Sequence, residues 1–294
     1  MPKMIELVDP VPVVADQGHI GFSAVQLIEG EDRDGQTRRL LVDSAHNGRR
    51  PRLIDALDRL GLTPLDIDYV VTTHAHWDHI QNHDLFLNAT QLIHPDERRY
   101  AHAPAIDDWA TPSWTGYILE QLATEEVGDG YEVFPGATIV ELAGHSIGSI
   151  GLAVETDQGL ALVAGDALHV SMVATTETNP LVFWDEQAAT EAIRRVKKMA
   201  DVIYPAHDAP FKISAAGEIE FLRTIEMAVG GMTPKVVEFG AVLPVSLMPG
   251  RHEQSARRVK EKVSAEHMQD VRRLVGGPYT AGAHPVPSSA WDRG

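Results

Sequence analysis

VVTTHAHWDHIQN, residues 70–82, places His74, His76, Asp78 and His79 directly after a short apolar run. The apolar run is typical of a buried strand, and imidazole and carboxylate groups at the end of a strand are typical of a metal site. Alternate residues of an extended chain point the same way, so His74 and His76 share one side. Asp78 and His79 lie where the chain must turn, and they can bind a second ion. We therefore expect a metal centre suited to zinc, iron or manganese.

Three further ligand-type residues follow apolar runs later in the chain. They are His145 in LAGHSIGS, Asp166 in LALVAGDALH and His207 in VIYPAHD. A ligand at the end of a strand is held by a rigid sheet while its loop faces the substrate. Taken singly, Asp166 or His207 is equally well interpreted as a turn residue. Their regular placement, one after each strand, favours a shared role in metal binding.

The motifs THAHWDH, GHSIGS, GDALH and PAHD resemble, in this order, those of the metallo-β-lactamase-fold hydrolases. The resemblance implies an α/β protein, a four-layer α/β/β/α sandwich with its metals at one edge of two sheets. It implies two divalent metal ions, zinc first and iron or manganese as alternatives. Three imidazoles would hold one ion, two imidazoles and a carboxylate the other, and a second carboxylate would bridge them. By this resemblance the first ion is held by His74, His76 and His145. The second ion is held by Asp78, His79 and His207, and the bridging carboxylate is that of Asp166.

The resemblance also implies a reaction and roles for individual residues. A metal-bridging hydroxide would attack the carbonyl of a lactone or ester, or a similar electrophile. Asp78 is a candidate for a second, catalytic role: it would accept a proton from the tetrahedral species and donate it to the leaving group. Asp43 stands where the family has an aspartate that orients a ligand imidazole, although a plain turn aspartate is the alternative. His169 stands where acyl-homoserine lactonases usually have a catalytic tyrosine. We expect His169 to donate to the substrate carbonyl instead, and this departure disfavours an acyl-homoserine lactone as the natural substrate.

Several other functions would use a similar set of ligands. A glyoxalase II-like thioesterase is one alternative, with Arg257, Arg258 and Lys260 available for a glutathione carboxylate. A phosphotriester or aryl-ester hydrolase is another, since relatives vary at the position of His169. Iron oxidoreductases are disfavoured, because the flavodiiron type usually has glutamate in place of His76 and persulfide dioxygenases use one iron. A non-hydrolytic metal-binding protein is disfavoured as well.

Composition narrows the class of protein and of partner. The chain has 294 residues, no cysteine and a formal net charge of −17. Without cysteine there are no disulfides and no thiolate ligands, so nitrogen and oxygen must hold any metal. The negative charge disfavours a nucleic acid partner. No apolar run approaches a membrane span or the core of a signal peptide, which favours a cytoplasmic protein. The expected partner is a small-molecule substrate, and a homodimer is compatible with the sequence.

We interpret residues 1–294 as a single metallo-β-lactamase-fold domain with two additions. Residues 96–126, helical in composition but interrupted by prolines, are predicted to form a lid over the site. Residues 214–294 are predicted to form a C-terminal helical and arm extension, with helices at 214–229 and 251–273. Five aromatic residues suggest a pocket wall that favours a substrate with an apolar or aromatic part. These are Trp77, Trp109, Trp114, Phe183 and Trp184.

Periodicity predicts the remaining elements. Helices are expected at 52–60 and 185–200, where apolar residues recur at helical spacing. Strands are expected at 21–30 and 38–48, around a polar turn, and again in the runs that precede the ligands. A hairpin turn is expected at 157–159.

Overall fold

A computed structural model describes residues 1–227 except 13, 16–17, 20, 106–107 and 113, and gives only the backbone at 14–15 and 18–19. The basic helix predicted at 251–273 and the tail after Gly276 lie outside the described residues. None of the helices within that described part is long and apolar enough to cross a membrane.

The described residues form runs of strands that are separated by helices. The strands are β1 (Lys3–Val8), β2 (Val14–Ala15), β3 (Gly18–His19), β4 (Val25–Glu31), β5 (Thr37–Val42), β6 (Tyr69–Val71), β7 (Thr90–Ile93), β8 (Thr124–Glu126), β9 (Glu132–Phe134), β10 (Ala137–Glu141), β11 (Ile150–Thr156), β12 (Gly159–Gly165), β13 (Val202–Pro205), β14 (Phe211–Ile213) and β15 (Ile219–Phe221). The α-helices are α1 (Arg50–Asp58), α2 (Trp77–Ile80), α3 (Pro95–His102), α4 (Thr115–Leu119), α5 (Ser171–Thr176) and α6 (Glu186–Met199). Short 3-10 helices occupy Asn47–Arg49, Pro64–Asp66, His83–Leu85 and Asp166–Leu168.

Two mixed sheets organise these elements. Within the described residues the first sheet has the order β1-β4-β5-β6-β7-β8, and the second has the order β15-β14-β13-β12-β11-β10-β9. Strands β2 and β3 pair separately as a short hairpin. Most neighbours are antiparallel, but β5 to β8 run parallel to one another, as do β12 and β13.

The first sheet is buried on both faces. Ile28 and Leu40 point into the core between the two sheets, whereas their neighbours Leu27 and Leu41 point to the opposite face. There they pack against α1, whose Leu53 is fully buried in the same cluster. Alternation along each strand thus supplies two separate apolar layers, one to the other sheet and one to a helix.

The second sheet repeats this arrangement. Leu152 and Val163 face the first sheet, while Leu162 and Ile203 face α6 and its buried Ile193. The order of layers is therefore helix, sheet, sheet, helix. The four-layer α/β/β/α sandwich implied by the sequence motifs is confirmed.

The local predictions agree with the structure except in two places. The strand predicted at 38–48 ends at Val42, because Asp43 and Ala45 have positive φ angles that interrupt an extended chain, and the second difference lies near the end of the described chain. The helix predicted at 52–60 is α1, that predicted at 185–200 is α6, and the hairpin turn at 157–159 joins β11 to β12. The helix predicted at 214–229 is wrong within the described residues, because β15 lies there. A turn with Gly217 at φ +82° reverses the chain, and β15 pairs with β14. Hydrogen bonds to an existing sheet edge outweigh the intrinsic helix propensity of this segment.

The segment predicted as a lid, residues 96–126, contains both helix and strand. Most of α3 and all of α4 lie in it, and its last three residues are β8 at the edge of the first sheet.

The two sheets meet at one edge. The parallel pairs β5/β6 and β12/β13 bring the carboxyl ends of these strands to that edge. There Ile150 N donates to Thr73 O at 2.9 Å, and Ala24 N donates to Ala206 O at 2.7 Å. These backbone hydrogen bonds join the sheets where the loops after β6, β10, β12 and β13 converge.

Candidate metal centre

A first cluster of possible ligands consists of His74, His76, His145 and Asp166, all buried. His145 Nε2 lies 3.2 Å from His74 Nε2 and 3.0 Å from His76 Nδ1. Asp166 Oδ2 lies 3.5 Å from His145 Nε2 and 4.0 Å from His74 Nε2. Three imidazole nitrogens and a carboxylate oxygen that face one another at these distances suit a single divalent cation.

A second cluster consists of Asp78, His79 and His207, also buried. Asp78 lies 3.4 Å from His207 Nε2 through Oδ2 and 3.7 Å from His79 Nε2 through Oδ1. Asp166 Oδ1 lies 3.4 Å from His79 Nε2 and 3.2 Å from His207 Nε2. The two oxygens of Asp166 thus face different clusters. The fold brings all seven predicted ligands together.

The chemistry of these donors fits divalent cations. Within the described residues, His79 Nε2 and Asp166 Oδ1 are buried polar atoms without a hydrogen-bond partner. Buried polar groups are normally paired, and an unpaired set with converging lone pairs is what a metal ion satisfies. The donors are nitrogen and oxygen only, as the absence of cysteine requires.

Thr73 and Asp43 orient two of the imidazoles. His79 Nδ1 donates to Asp43 Oδ2 at 2.7 Å, so its Nε2 is the nitrogen left for a metal. Thr73 Oγ1 donates to the same carboxylate at 2.9 Å and lies 3.0 Å from His74 Nδ1. Since Thr73 uses its proton on Asp43, it accepts from His74. Asp43 therefore makes the contact that the family resemblance implies.

His145 is oriented by backbone atoms. Its Nδ1 donates to the carbonyl of Leu181, which leaves Nε2 for the first cluster. Gly144, the preceding residue, has φ +143°, and a Cβ there would lie 2.2 Å from Ala189 N. Only glycine fits this close approach to α6.

The pKa shifts of the ligands differ between the two clusters. In the protein chain alone, burial lowers the pKa of His74 well below its usual range and that of His145 to about 3. Burial also acts to lower the pKa of His79 and His207, but the neighbouring carboxylates outweigh it and both pKa values are raised. Burial acts to raise the pKa of Asp166, but the second-cluster imidazoles hold it well below its usual range. A cation that binds the second cluster must therefore displace protons.

Glu97 of α3 joins two ligand loops and was not predicted from the sequence. Its fully buried carboxylate accepts from Ala75 N at 2.8 Å, Ser146 Oγ at 2.8 Å and Gly148 N at 2.9 Å. Ala75 lies between two ligand histidines, and Ser146 follows His145. In the sequence Glu97 resembles an ordinary acidic residue in the first turn of a helix, so no pattern distinguishes it.

Aromatic side chains pack beside the first cluster. The ring of Phe183 lies 4.8 Å from that of His76 and 5.6 Å from that of His145. Trp109 contacts Phe183 at 5.6 Å between ring centroids, although it is 52% exposed. Trp77 and Trp184 are partly buried and pack against the group of apolar side chains that contains Phe183.

His169 lies beside a histidine of the second cluster, whereas Trp114 lies on the surface. His169 is buried, its carbonyl accepts from His207 N at 2.8 Å, and the two rings are 6.4 Å apart. Trp114 is 43% exposed and precedes α4.

Comparisons with known proteins identify a family and a shared fold. The model of the metallo-beta-lactamase superfamily matches residues 22–207. An N-acyl homoserine lactonase of Bacillus cereus is 28% identical over 205 residues, which cover 67% of this chain and 76% of that protein. Metallo-beta-lactamase domain-containing protein 1 of Xenopus laevis is 30% identical over 181 residues, 61% of this chain and 70% of that protein.

A solved structure shares the fold. It is that of an N-acyl homoserine lactone hydrolase with the product N-hexanoyl-L-homoserine bound at its catalytic metal centre. The TM-score is 0.55 at 24% identity, with 70% of this chain and 92% of that chain covered. Since the family model matches more than half of the chain and both clusters are complete, the chain belongs to the metallo-beta-lactamase superfamily and is a metal-dependent hydrolase.

Proposed function

We propose that this protein is a dinuclear hydrolase that opens lactones or cleaves carboxylic esters with an apolar or aromatic part. The observation that carries the proposal is Asp166, whose two oxygens face two separate clusters. The lactonases among its relatives support a cyclic ester as substrate.

The first cluster would hold one ion and the second cluster the other, with Asp166 between them. Zinc is our first choice, because four-coordinate nitrogen and oxygen sites suit it, and iron or manganese are alternatives. When bound, the two ions would supply Lewis acidity toward the substrate oxygen and an activated water.

Residues of the chain would complete the chemistry. Asp78 Oδ2, which accepts from Ser23 N at 3.2 Å, would take up a proton after attack and release it to the leaving alkoxide. His169, buried beside His207, would donate a hydrogen bond to the substrate carbonyl. Phe183 would exclude water from one side of the centre and contact the apolar part of the substrate.

A panel of substrates tests the proposal. Zinc-loaded protein would be assayed with lactones, linear esters, thioesters and phosphotriesters of matched acyl groups. We expect lactones and esters to be cleaved, and Asp166→Asn to abolish their cleavage. Turnover of thioesters or phosphotriesters alone would overturn the proposal. The basic residues on which the thioesterase alternative depends, at 257–260, lie outside the described residues.

A chain-length series tests the proposed lid and aromatic wall. Each buried CH₂ contributes about 0.8 kcal/mol, so kcat/KM should rise about fourfold per carbon across a lactone series. Trp109→Ala should flatten this dependence, because Trp109 contacts Phe183. If kcat/KM does not change with chain length in either the wild type or Trp109→Ala, an apolar subsite beneath residues 96–126 is excluded.

A further inference from the structure

Asp108 is a buried aspartate in the segment between α3 and α4, and its side chain is 0% exposed. Its Oδ2 accepts from the hydroxyl of Tyr100 at 2.8 Å. Its Oδ1 accepts from Ala110 N at 2.9 Å and from Thr111 N at 3.1 Å. Hydrogen bonds to both oxygens therefore fix the position of the carboxylate.

The same carboxylate faces a ligand of the first cluster. His76 Nε2 lies 3.7 Å from Asp108 Oδ1. In the described part of the chain, this nitrogen is buried and makes no hydrogen bond. A movement of less than about 1 Å would bring the two atoms to hydrogen-bond distance.

His76 also differs from the other first-cluster imidazoles. His74 and His145 turn Nε2 toward the cluster and place Nδ1 on an oxygen. His76 turns Nδ1 toward the cluster, 3.0 Å from His145 Nε2, so its Nε2 is the nitrogen that needs an acceptor. An imidazole that binds a metal through one nitrogen normally donates from the other.

We propose that Asp108 is the positioning residue of His76: it accepts the Nε2 proton and so leaves Nδ1 free to bind a metal ion. The assignment rests on the proposed metal centre but not on the choice of substrate. It also links the segment that carries Asp108 to the metal site. A second contact joins the same two loops, since Trp77 N donates to Ala110 O at 2.8 Å.

The test compares Asp108→Asn with Asp58→Asn, an exposed aspartate of α1. Asparagine keeps the size and one acceptor oxygen, which can stay at the position of Oδ1, so it removes the charge opposite His76 but not the acceptor. We expect zinc affinity of one of the two sites to fall about 10- to 100-fold in Asp108→Asn and to stay unchanged in Asp58→Asn. Asp108→Ala removes both the charge and the acceptor, and we expect it to lower the affinity further. Tyr100→Phe removes the donor to Oδ2 and the acceptor of Ala105 N but keeps the carboxylate opposite His76, so we expect a smaller loss of affinity.

A spectroscopic readout separates positioning from general destabilisation. In zinc-loaded protein labelled with ¹⁵N-histidine, His76 should carry its proton on Nε2, with a downfield proton shift. This resonance should move upfield in Asp108→Asn, while the Nδ1 proton of His145 stays in place. Unchanged zinc affinity and an unchanged His76 resonance would overturn the proposal and leave Asp108 as a turn residue.

The same experiment distinguishes this inference from the proposed function. Wild-type protein that binds two zinc ions but cleaves no lactone or ester would overturn the function and leave the role of Asp108 to be decided by the variants. Wild-type protein that binds no zinc at the first cluster would overturn both.

Discussion

Glu97 provides a test of how the two halves of the site are held together. It is fully buried and accepts hydrogen bonds from Ala75 N, Gly148 N and Ser146 Oγ. Glu97→Ala would leave the two backbone N–H groups without an acceptor. Ser146 would keep a partner, because its hydroxyl lies 2.7 Å from Ser149 Oγ.

The expected loss of stability follows from these contacts. A buried donor left unsatisfied costs about 1–3 kcal/mol, so Glu97→Ala should lower the free energy of unfolding by about 2–6 kcal/mol. Glu97→Gln keeps one carbonyl oxygen and orients an NH₂ group toward a donor. It should therefore cost about 1–3 kcal/mol.

Urea unfolding of zinc-stripped protein measures these values without a contribution from bound metal. Glu191→Ala is a matched control, since Glu191 is exposed on α6, and its change should stay within about 0.5 kcal/mol. Zinc competition should then show weaker binding by Glu97→Gln, because the carboxylate joins the loops that carry the first-cluster ligands. If Glu97→Ala unfolds like the control, the reasoning is refuted.

The remaining predictions concern the ligand loops and the substrate. Gly144→Ala should lower the free energy of unfolding by about 2–6 kcal/mol, because the added Cβ strains the backbone and overlaps with α6. Gly35→Ala is the control, since a Cβ there meets open space, and it should cost about 1 kcal/mol. Equal losses of the two variants in urea unfolding would contradict this prediction. His169→Ala should lower kcat by about one to three decades with unchanged metal content, and equal activity would remove His169 from the mechanism. Because the pKa values of His79 and His207 are raised, their protons must leave on metal binding, so zinc affinity at the second cluster should fall as the pH falls. Competition titrations across neutral pH measure this, and a pH-independent affinity would be inconsistent with the shifts.

The convergence of the seven candidate ligands could be predicted from the sequence because local spacing determines most of their arrangement. His74, His76, Asp78 and His79 lie within six residues, and each later ligand follows an apolar strand. The backbone therefore delivers them to one sheet edge once the strand order is formed.

Other features depend on contacts between distant parts of the chain. Glu97 meets Ser146, 49 residues away, and nothing in the local sequence of either residue indicates this. Asp108 approaches His76 only because the chain returns after α3. The strand β15 replaced a predicted helix because β14 offered an edge with which to pair. In each case the partner, and not the local pattern, decides the outcome.

The measurement that tests the account most directly is the metal content of protein purified without chelator and then equilibrated with zinc. The two clusters and the shared Asp166 predict two ions per chain, and Asp166→Ala should reduce this number because it removes an oxygen from each cluster. A stoichiometry near one that excess zinc or manganese does not raise would contradict the dinuclear centre.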